Sequence, residues 1–224
     1  MPLIWFEGGD GTGKGTQLKM TSKRLEELGY MVHIYREPGG DEVGELLRSL
    51  LKADESDVNF RVLQALLDPQ QSYNIQPRTE VLLFCAVRTQ LERLVMPWLD
   101  EGCFVLADRS WVSTMAYQVH GRNLVEDADM IRTICRWAMG SLLPDLVIVY
   151  DITNEEAERR RGGRGTTDRF EAEGDSFQKL VMAGYRIEAI ASGYHLVDAS
   201  SPPNEVFDQS TWALVEPLLP EEAS

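Results

Sequence analysis

Five short apolar runs punctuate the chain, at 3–6, 31–35, 103–107, 146–150 and 194–197. Within each, the hydrophobic positions are nearly continuous rather than alternating, which is the pattern of strands covered on both faces. The stretches between them carry helical spacing, and the pattern predicts helices at about 15–28, 42–51, 79–100, 127–139, 155–161, 174–192 and 205–216. Strands that alternate with helices in this way predict an α/β fold: a doubly wound, five-stranded parallel sheet with helices on both faces. In such sheets ligands collect at the carboxyl ends of the strands.

The segment 51–76 interrupts the rhythm. It is polar and irregular except for an apolar patch at 60–67, and it ends near Pro77. It reads as an excursion from a single domain spanning 1–219, followed by a short disordered tail, 220–224. The net charge of −14 and pI near 4.7 change the picture further. Such a surface repels nucleic acid and anionic membranes, so any anionic ligand must be met by a local basic cluster. No apolar run approaches the ~20 residues that span a bilayer, and no basic leader precedes the first strand-like segment. A soluble, cytoplasmic protein without nucleic-acid or membrane partners is expected. Cys85, Cys103 and Cys135 lie far apart in apolar stretches and read as buried free thiols, and His33, His120 and His195 show no ligand spacing.

Chemistry enters at the first strand–helix junction, F-E-G-G-D-G-T-G-K-G-T-Q, residues 6–17. Gly8, Gly11 and Gly13 let successive backbone N–H groups face inward at a helix N-terminus, and Lys14 adds a point charge where β- and γ-phosphates sit. This is a phosphate-binding loop of the P-loop NTPase type. Its departure is Gly15, where a Ser or Thr hydroxyl normally reaches Mg²⁺; Thr16 comes one residue too late to inherit that geometry. Magnesium would then be held mainly by phosphate oxygens and water, with Asp10 as the candidate protein contact.

Further pieces follow the later strands: R-E-P-G-G (36–40), R-T-E-V-L-L-F-C-A-V-R (78–88), V-L-A-D-R-S (105–110), S-T-M-A-Y-Q (113–118), P-D-L-V-I-V-Y-D (144–151), R-G-x-x-D-R-F-E (164–171) and A-G-Y (183–185), with L-L-D-P at 66–69. Arg36 and Arg109 fall at strand ends, where two guanidinium forks suit a monophosphate. Phe84 and Arg88 are four apart, so an aromatic plate and a donor share one helix face. Together these pieces, in order and over nearly the whole chain, resemble the thymidylate kinases.

The resemblance implies phosphoryl transfer from MgATP to a pyrimidine deoxynucleoside monophosphate, most naturally dTMP, by a homodimer with a short lid over the ATP at about 159–171. It implies ATP on Gly8, Gly11, Thr12, Gly13, Lys14, Gly15 and Thr16, with Arg160 from the lid. Phe84 would stack on the base and Arg88 reach its O4; Tyr117 would crowd the sugar 2′ position; Asp10 would meet the 3′-hydroxyl or the metal. Thr114 would lie near the base edge, with Ser113 beside it, and Arg36 and Arg109 would hold the phosphate. Lys14, Arg109, Asp10 and a lid arginine would form the catalytic set. Because position 11 is glycine, that arginine must come from the lid: Arg164 is the best match, Arg160 or Arg161 the alternative.

Three departures from the family pattern bear on the pocket: Gly15, Ser110 in place of an aromatic after Asp-Arg, and a segment at 51–65 longer than the family needs. They leave open a kinase with a shifted or broad base choice, dUMP among them. Adenylate kinase, which shares G-K-G-T-Q, and a non-catalytic nucleotide-binding protein are the more distant alternatives.

Overall fold

The computed structural model describes residues 1–52, 75–162 and 169–220. The expected excursion at 53–74, residues 163–168 with Arg164, and the tail from 221 lie outside them. The sheet holds β1 (Leu3–Glu7), β2 (Val32–Arg36), β3 (Phe104–Asp108), β4 (Leu146–Asp151) and β5 (His195–Asp198), paired in the order β2-β3-β1-β4-β5. Every pairing is parallel, with Trp5 opposite Ala107 and Val147. Each observed strand lies within a residue of its predicted run. The helices are α1 (Lys14–Glu27), α2 (Glu42–Lys52), α3 (Pro77–Asp100), α4 (Trp111–Thr114), α5 (Ala128–Met139), α6 (Asn154–Arg161) and α7 (Asp175–Ser192). The last helix predicted from sequence is observed as one unbroken helical stretch from Pro203 to Leu218, which widens into a π-helical segment at Phe207–Thr211 and ends in a 3-10 turn.

Successive strand residues point to opposite faces, and the core splits accordingly. Leu3, Trp5, Val105, Ala107, Val147 and Val149 pack against α3, α5 and α7, through Val81, Leu91, Ile131 and Val181 among others. Ile4, Phe6, Phe104, Leu106, Ile148 and Tyr150 face the other way, onto Leu18 and Leu25 of α1 and Val206 and Val215 near the C-terminus. Burial of each such side chain stabilises the fold by about 1.5–3 kcal/mol. The expectation of full coverage holds for β1, β3 and β4. It fails at the edges, where Ile34 of β2 and Leu196 of β5 remain exposed, because an edge strand has a neighbour on one side only.

The helical stretch that follows β3 was not predicted. Helix α4 runs directly into a π-helical segment, Met115–Gly121, in which the Arg122 N–H donates to the Tyr117 carbonyl at 2.9 Å and that of Leu124 to the Val119 carbonyl at 2.9 Å, each five residues back. π-Helical turns widen the spiral and concentrate at functional sites. Among the described residues, no helix is long and apolar enough to cross a membrane.

Candidate active site

The carboxyl ends of β1 and β3 are adjacent in the sheet, and the side chains that follow them converge. β1 ends in Glu7, whose carboxylate is wholly buried. Its Oε1 accepts from the Ser110 backbone N–H and hydroxyl, both at 2.6 Å, and its Oε2 from the Ser113 hydroxyl at 2.7 Å. Burial raises the Glu7 pKa, an effect these hydrogen bonds oppose. Ser110 also caps α4, its oxygen accepting from the Val112 N–H. Ser110, one of the three departures from the family pattern, is therefore a buried residue whose backbone N–H and hydroxyl are committed to Glu7.

Arg109 adopts φ 76°, a left-handed backbone that non-glycine residues rarely take. The guanidinium so placed donates to Asp10 Oδ1 at 2.6 Å, to the Tyr185 hydroxyl at 2.7 Å and to the Tyr117 hydroxyl at 3.2 Å. The Tyr117 hydroxyl in turn donates to Asp10 Oδ2 at 2.7 Å, and Lys14 Nζ stands 3.5 Å from Asp10 Oδ1. Burial alone would raise the Asp10 pKa, but Arg109, Lys14 and Tyr117 outweigh it and hold this carboxyl well below the usual range. Both Asp10 oxygens thus accept from protein donors. Asp108 Oδ1, at the end of β3, is buried without a hydrogen-bond partner among the described residues.

The phosphate loop forms as predicted. Gly8, Gly11 and Gly13 all have positive φ, and Gly13 is the N-cap of α1. At Gly11 the constraint is twofold: a Cβ there would also lie 2.7 Å from the Ala157 carbonyl oxygen of α6. The packing of α6 on the loop excludes any side chain at position 11, an arginine included. The opposite holds at Gly15, where a Cβ would meet nothing within 4 Å. Thr12 is buried with its hydroxyl on the Gly9 carbonyl, whereas Thr16 is exposed at the mouth of the cleft.

The three successive arginines of α6 separate in role. Arg159 is exposed and pairs with Glu156. Arg160 also pairs with Glu156 and reaches the carbonyls of Ala199 and Ser200, close to Gly13. Arg161 crosses to the loop, its Nη1 donating to the Asp10 carbonyl at 3.0 Å. Arg169, grouped with them by sequence, turns elsewhere: it binds Glu80 at 2.7 Å and the Leu51 carbonyl at the end of α2.

Two adjoining cavities result. The larger, about 960 Å³, lies over the loop and is lined by Lys14, Thr16, Lys19, Arg36, Arg48 and Asp108 among others. Arg36 stands there as expected, paired with Glu45 at 3.0 Å. The smaller, about 460 Å³, is lined by Phe84, Arg88, Ser113, Thr114, Tyr117 and Phe170 among others. Asp10, Glu37, Lys52 and Arg109 border both. Arg88 is 1% exposed. Its Nε and Nη2 donate to Glu37 Oε2 at 2.9 and 2.6 Å, and Nη2 also to the Thr114 hydroxyl at 3.2 Å. Beneath it lie the Cys135 and Cys85 sulfurs, 3.6 and 3.9 Å from Nη1. All three thiols are buried and free as predicted, but two of them, far apart in sequence, come within 3.8 Å of each other.

Sequence reasoning missed Glu7, Glu37, Lys52, Phe170 and Tyr185 as site residues. Four of these stand inside motifs already singled out, so a signal was present; Lys52, at the end of α2, carried none.

A thymidylate kinase family model matches residues 6–210. The chain is 37% identical over 221 residues to a thymidylate kinase of Thermomicrobium roseum, covering 97% of this chain and 95% of that one. It is 34% identical to a thymidylate kinase of Chlorobaculum parvum over 232 residues, 98% of each chain, and 40% identical to one of Thermoanaerobacter sp. over 184 residues, 82% of this chain and 81% of the relative.

Proposed function

The chain belongs to the thymidylate kinase family, ATP-dependent enzymes that phosphorylate dTMP, and from that premise we propose which residues of this chain carry out the transfer. The observation that carries the assignment is the pair of cavities bordered in common by Asp10, Glu37, Lys52 and Arg109. Two anions must be brought together in line for the transfer, and the border where Lys52 and Arg109 face both cavities is where that is possible.

The triphosphate of ATP lies on the loop Gly8–Thr16, with its backbone N–H groups and Lys14 on the phosphate oxygens, and Arg160 stands beside the nucleotide. dTMP fills the smaller cavity, its base beside Phe84 and Phe170, whose ring centroids are 6.0 Å apart. Arg88 and Thr114 present donors to O4, which suits a 4-oxo base and disfavours the 4-amino group of cytosine. Tyr117 lies against the sugar and Asp10 takes the 3′-hydroxyl, with Ser113 behind them holding Glu7. Arg36 and Arg109 grip the monophosphate. An oxygen of that phosphate, already anionic, attacks the γ-phosphorus, the bond to the ADP oxygen breaks, and no general base is needed. Charge accumulates around the moving group, and Arg109, Lys14 and a lid arginine meet it. Among the described residues Arg161 is the lid arginine closest to that role, because it already bridges α6 to the loop; Arg164 keeps the same candidacy.

For magnesium, the orphaned buried Oδ1 of Asp108 fits an outer ligand through water better than Asp10, whose oxygens already accept from Arg109 and Tyr117 and whose remaining acceptor capacity faces the 3′-hydroxyl. The ion would neutralise and orient the ATP phosphates. We further propose a homodimer, supported by large exposed apolar side chains: Met130 and Trp137 sit seven residues apart on one side of α5, Trp137 at 76% exposure. The cytoplasm, where ATP and deoxynucleotides coexist, is the proposed site of action.

The test is ATP-dependent ADP release with dTMP, dUMP, dCMP, dGMP and AMP offered separately. The expected result is the highest kcat/KM for dTMP; equal use of dUMP shows that the pocket does not sense the methyl group, and preference for AMP overturns the assignment.

A further inference from the structure

Two nucleophilic side chains lie in the core where no step of the transfer uses them. Cys85 of α3 and Cys135 of α5 are 50 residues apart in sequence, yet their sulfurs stand 3.8 Å apart. Both are buried free thiols within the same apolar cluster. Cys103, equally buried, has no thiol neighbour among the described residues. Because α3 and α5 pack directly on each other, small side-chain rotations and a slight approach of the helices would bring the pair to the ~2.05 Å of a disulfide bond.

A cation completes the cluster. Arg88 Nη1 lies 3.6 Å from the Cys135 sulfur and 3.9 Å from that of Cys85, and donates to nothing else among the described residues. Toward a peroxide the nucleophile is a thiolate rather than a thiol. The hydrogen bond from Cys135 lowers the Cys85 pKa, burial opposes it, and the Arg88 charge lowers it further. The same hydrogen bond, with burial, raises the Cys135 pKa. The two thiols are thereby made unequal, and exposure agrees, with Cys85 at 4% and Cys135 at zero.

We propose that Cys85 and Cys135 are an oxidation site for small hydroperoxides, closing to a reversible disulfide that weakens dTMP binding through Arg88. The Cys85 thiolate attacks a peroxide oxygen, the O–O bond breaks, and the departing oxygen leaves as water after taking a proton; Cys85 becomes a sulfenic acid. The Cys135 sulfur then attacks the Cys85 sulfur, the S–O bond breaks, and the Cys135 proton leaves with the hydroxyl as a second water. Two thiols are oxidised and one peroxide is reduced. Phe84 and Arg88 line the smaller cavity, and the sulfurs lie behind Arg88, so that cavity is the route of entry when it holds no nucleotide. The bond draws both sulfurs away from Nη1 and toward each other, which leaves that end of a buried guanidinium unpaired and shifts it. The oxidation stands apart from the kinase reading; its effect on dTMP rests on that reading. By linkage, a disulfide that weakens dTMP binding is itself disfavoured by bound dTMP to the same degree.

The test treats the native protein with hydrogen peroxide, with and without dTMP, alkylates the remaining thiols and maps peptides by mass spectrometry. The expected product links the peptides of Cys85 and Cys135, leaves Cys103 alkylated, forms more slowly with dTMP present and reverts with dithiothreitol. In the oxidised protein KM for dTMP rises by about tenfold, while KM for ATP and kcat at saturating dTMP change less than about twofold. A tenfold coupling also raises the reduction potential by about 30 mV in saturating dTMP, measured in glutathione buffers. Cys135→Ser removes both the linked peptide and the peroxide effect on KM. Oxidation of Cys85 to the sulfinic acid with Cys135 still alkylated overturns the proposal, as does a linked pair with KM for dTMP unmoved. Should the variant not fold, peptide mapping and dithiothreitol reversal in the native protein decide alone. Failure of the reduced protein to phosphorylate dTMP sinks the kinase assignment instead, and peptide mapping still decides whether the bond forms.

Discussion

The two cavities are built from different materials. The floor of the larger one is backbone: a loop of glycines with positive φ at a helix N-terminus, offering N–H groups and one lysine. The wall of the smaller one is side chain, with Arg88, Glu37 and Thr114 in one buried ladder and Glu80 and Gln118 in another. Backbone donors recognise negative charge and little else, which suits a donor whose reactive part is a polyphosphate. Buried side-chain ladders fix the direction of each hydrogen bond, and so recognise a chemical identity. Recognition by charge tolerates an open cleft; recognition by identity requires burial and a committed partner for every group.

The sharpest way to break the contrast is Glu37→Ala. Removing the carboxylate leaves Arg88 buried without its counter-charge, and breaking such a pair typically costs about 3–5 kcal/mol, readable by urea unfolding. KM for dTMP is expected to rise in parallel, with KM for ATP nearly unaffected; equal effects on both nucleotides would erase the division between the cavities. Arg109→Ala, at the seam, is expected to lower kcat by about a hundred- to a thousandfold in the ADP-release assay. Arg109→Lys should recover little of it, since an ammonium cannot span Asp10 and Tyr185 together. Arg161→Ala acts on the open side alone: turnover falls by about a hundredfold while calorimetric dTMP affinity holds. Near-normal turnover in that variant transfers the role to Arg164. The smallest effect is expected for Gly15→Ser. A Cβ at that position meets nothing, so thermal stability stays within about 0.5 kcal/mol, and only the magnesium dependence of the rate should shift.

Much of this architecture was legible in the chain. Continuous apolar runs located all five strands because the three inner ones are buried on both faces, and the two edges kept the same composition although they are half-covered. The glycine loop, Arg36, Phe84, Arg88 and Arg109 were singled out because motif spacing places them at strand ends or on one helix face, which is local information, whereas Tyr117 came from the family resemblance alone. What escaped depends on distance in sequence. Nothing near Cys85 announces that Cys135 lies 3.8 Å away, and nothing near Arg169 shows that it turns to Glu80 and α2 instead of the loop. Asp10 lines both cavities, but its commitment to Arg109 and Tyr117 is a long-range fact. Glu37 and Glu7 looked like ordinary acids beside better-known neighbours; only burial reveals that each organises the residues around it.

The π-helical stretch at Met115–Gly121 has a consequence for insertions and deletions rather than substitutions. Each wide turn accommodates one more residue than an α-helix would hold, and that surplus sets the angle at which Thr114 and Gln118 share a wall. Deleting a single residue there would let ordinary α-helical bonding resume and rotate one part of the wall relative to the other by about 100°. Every residue assigned to the chemistry would still be present and the sheet beneath untouched, yet the alignment of that wall would be lost.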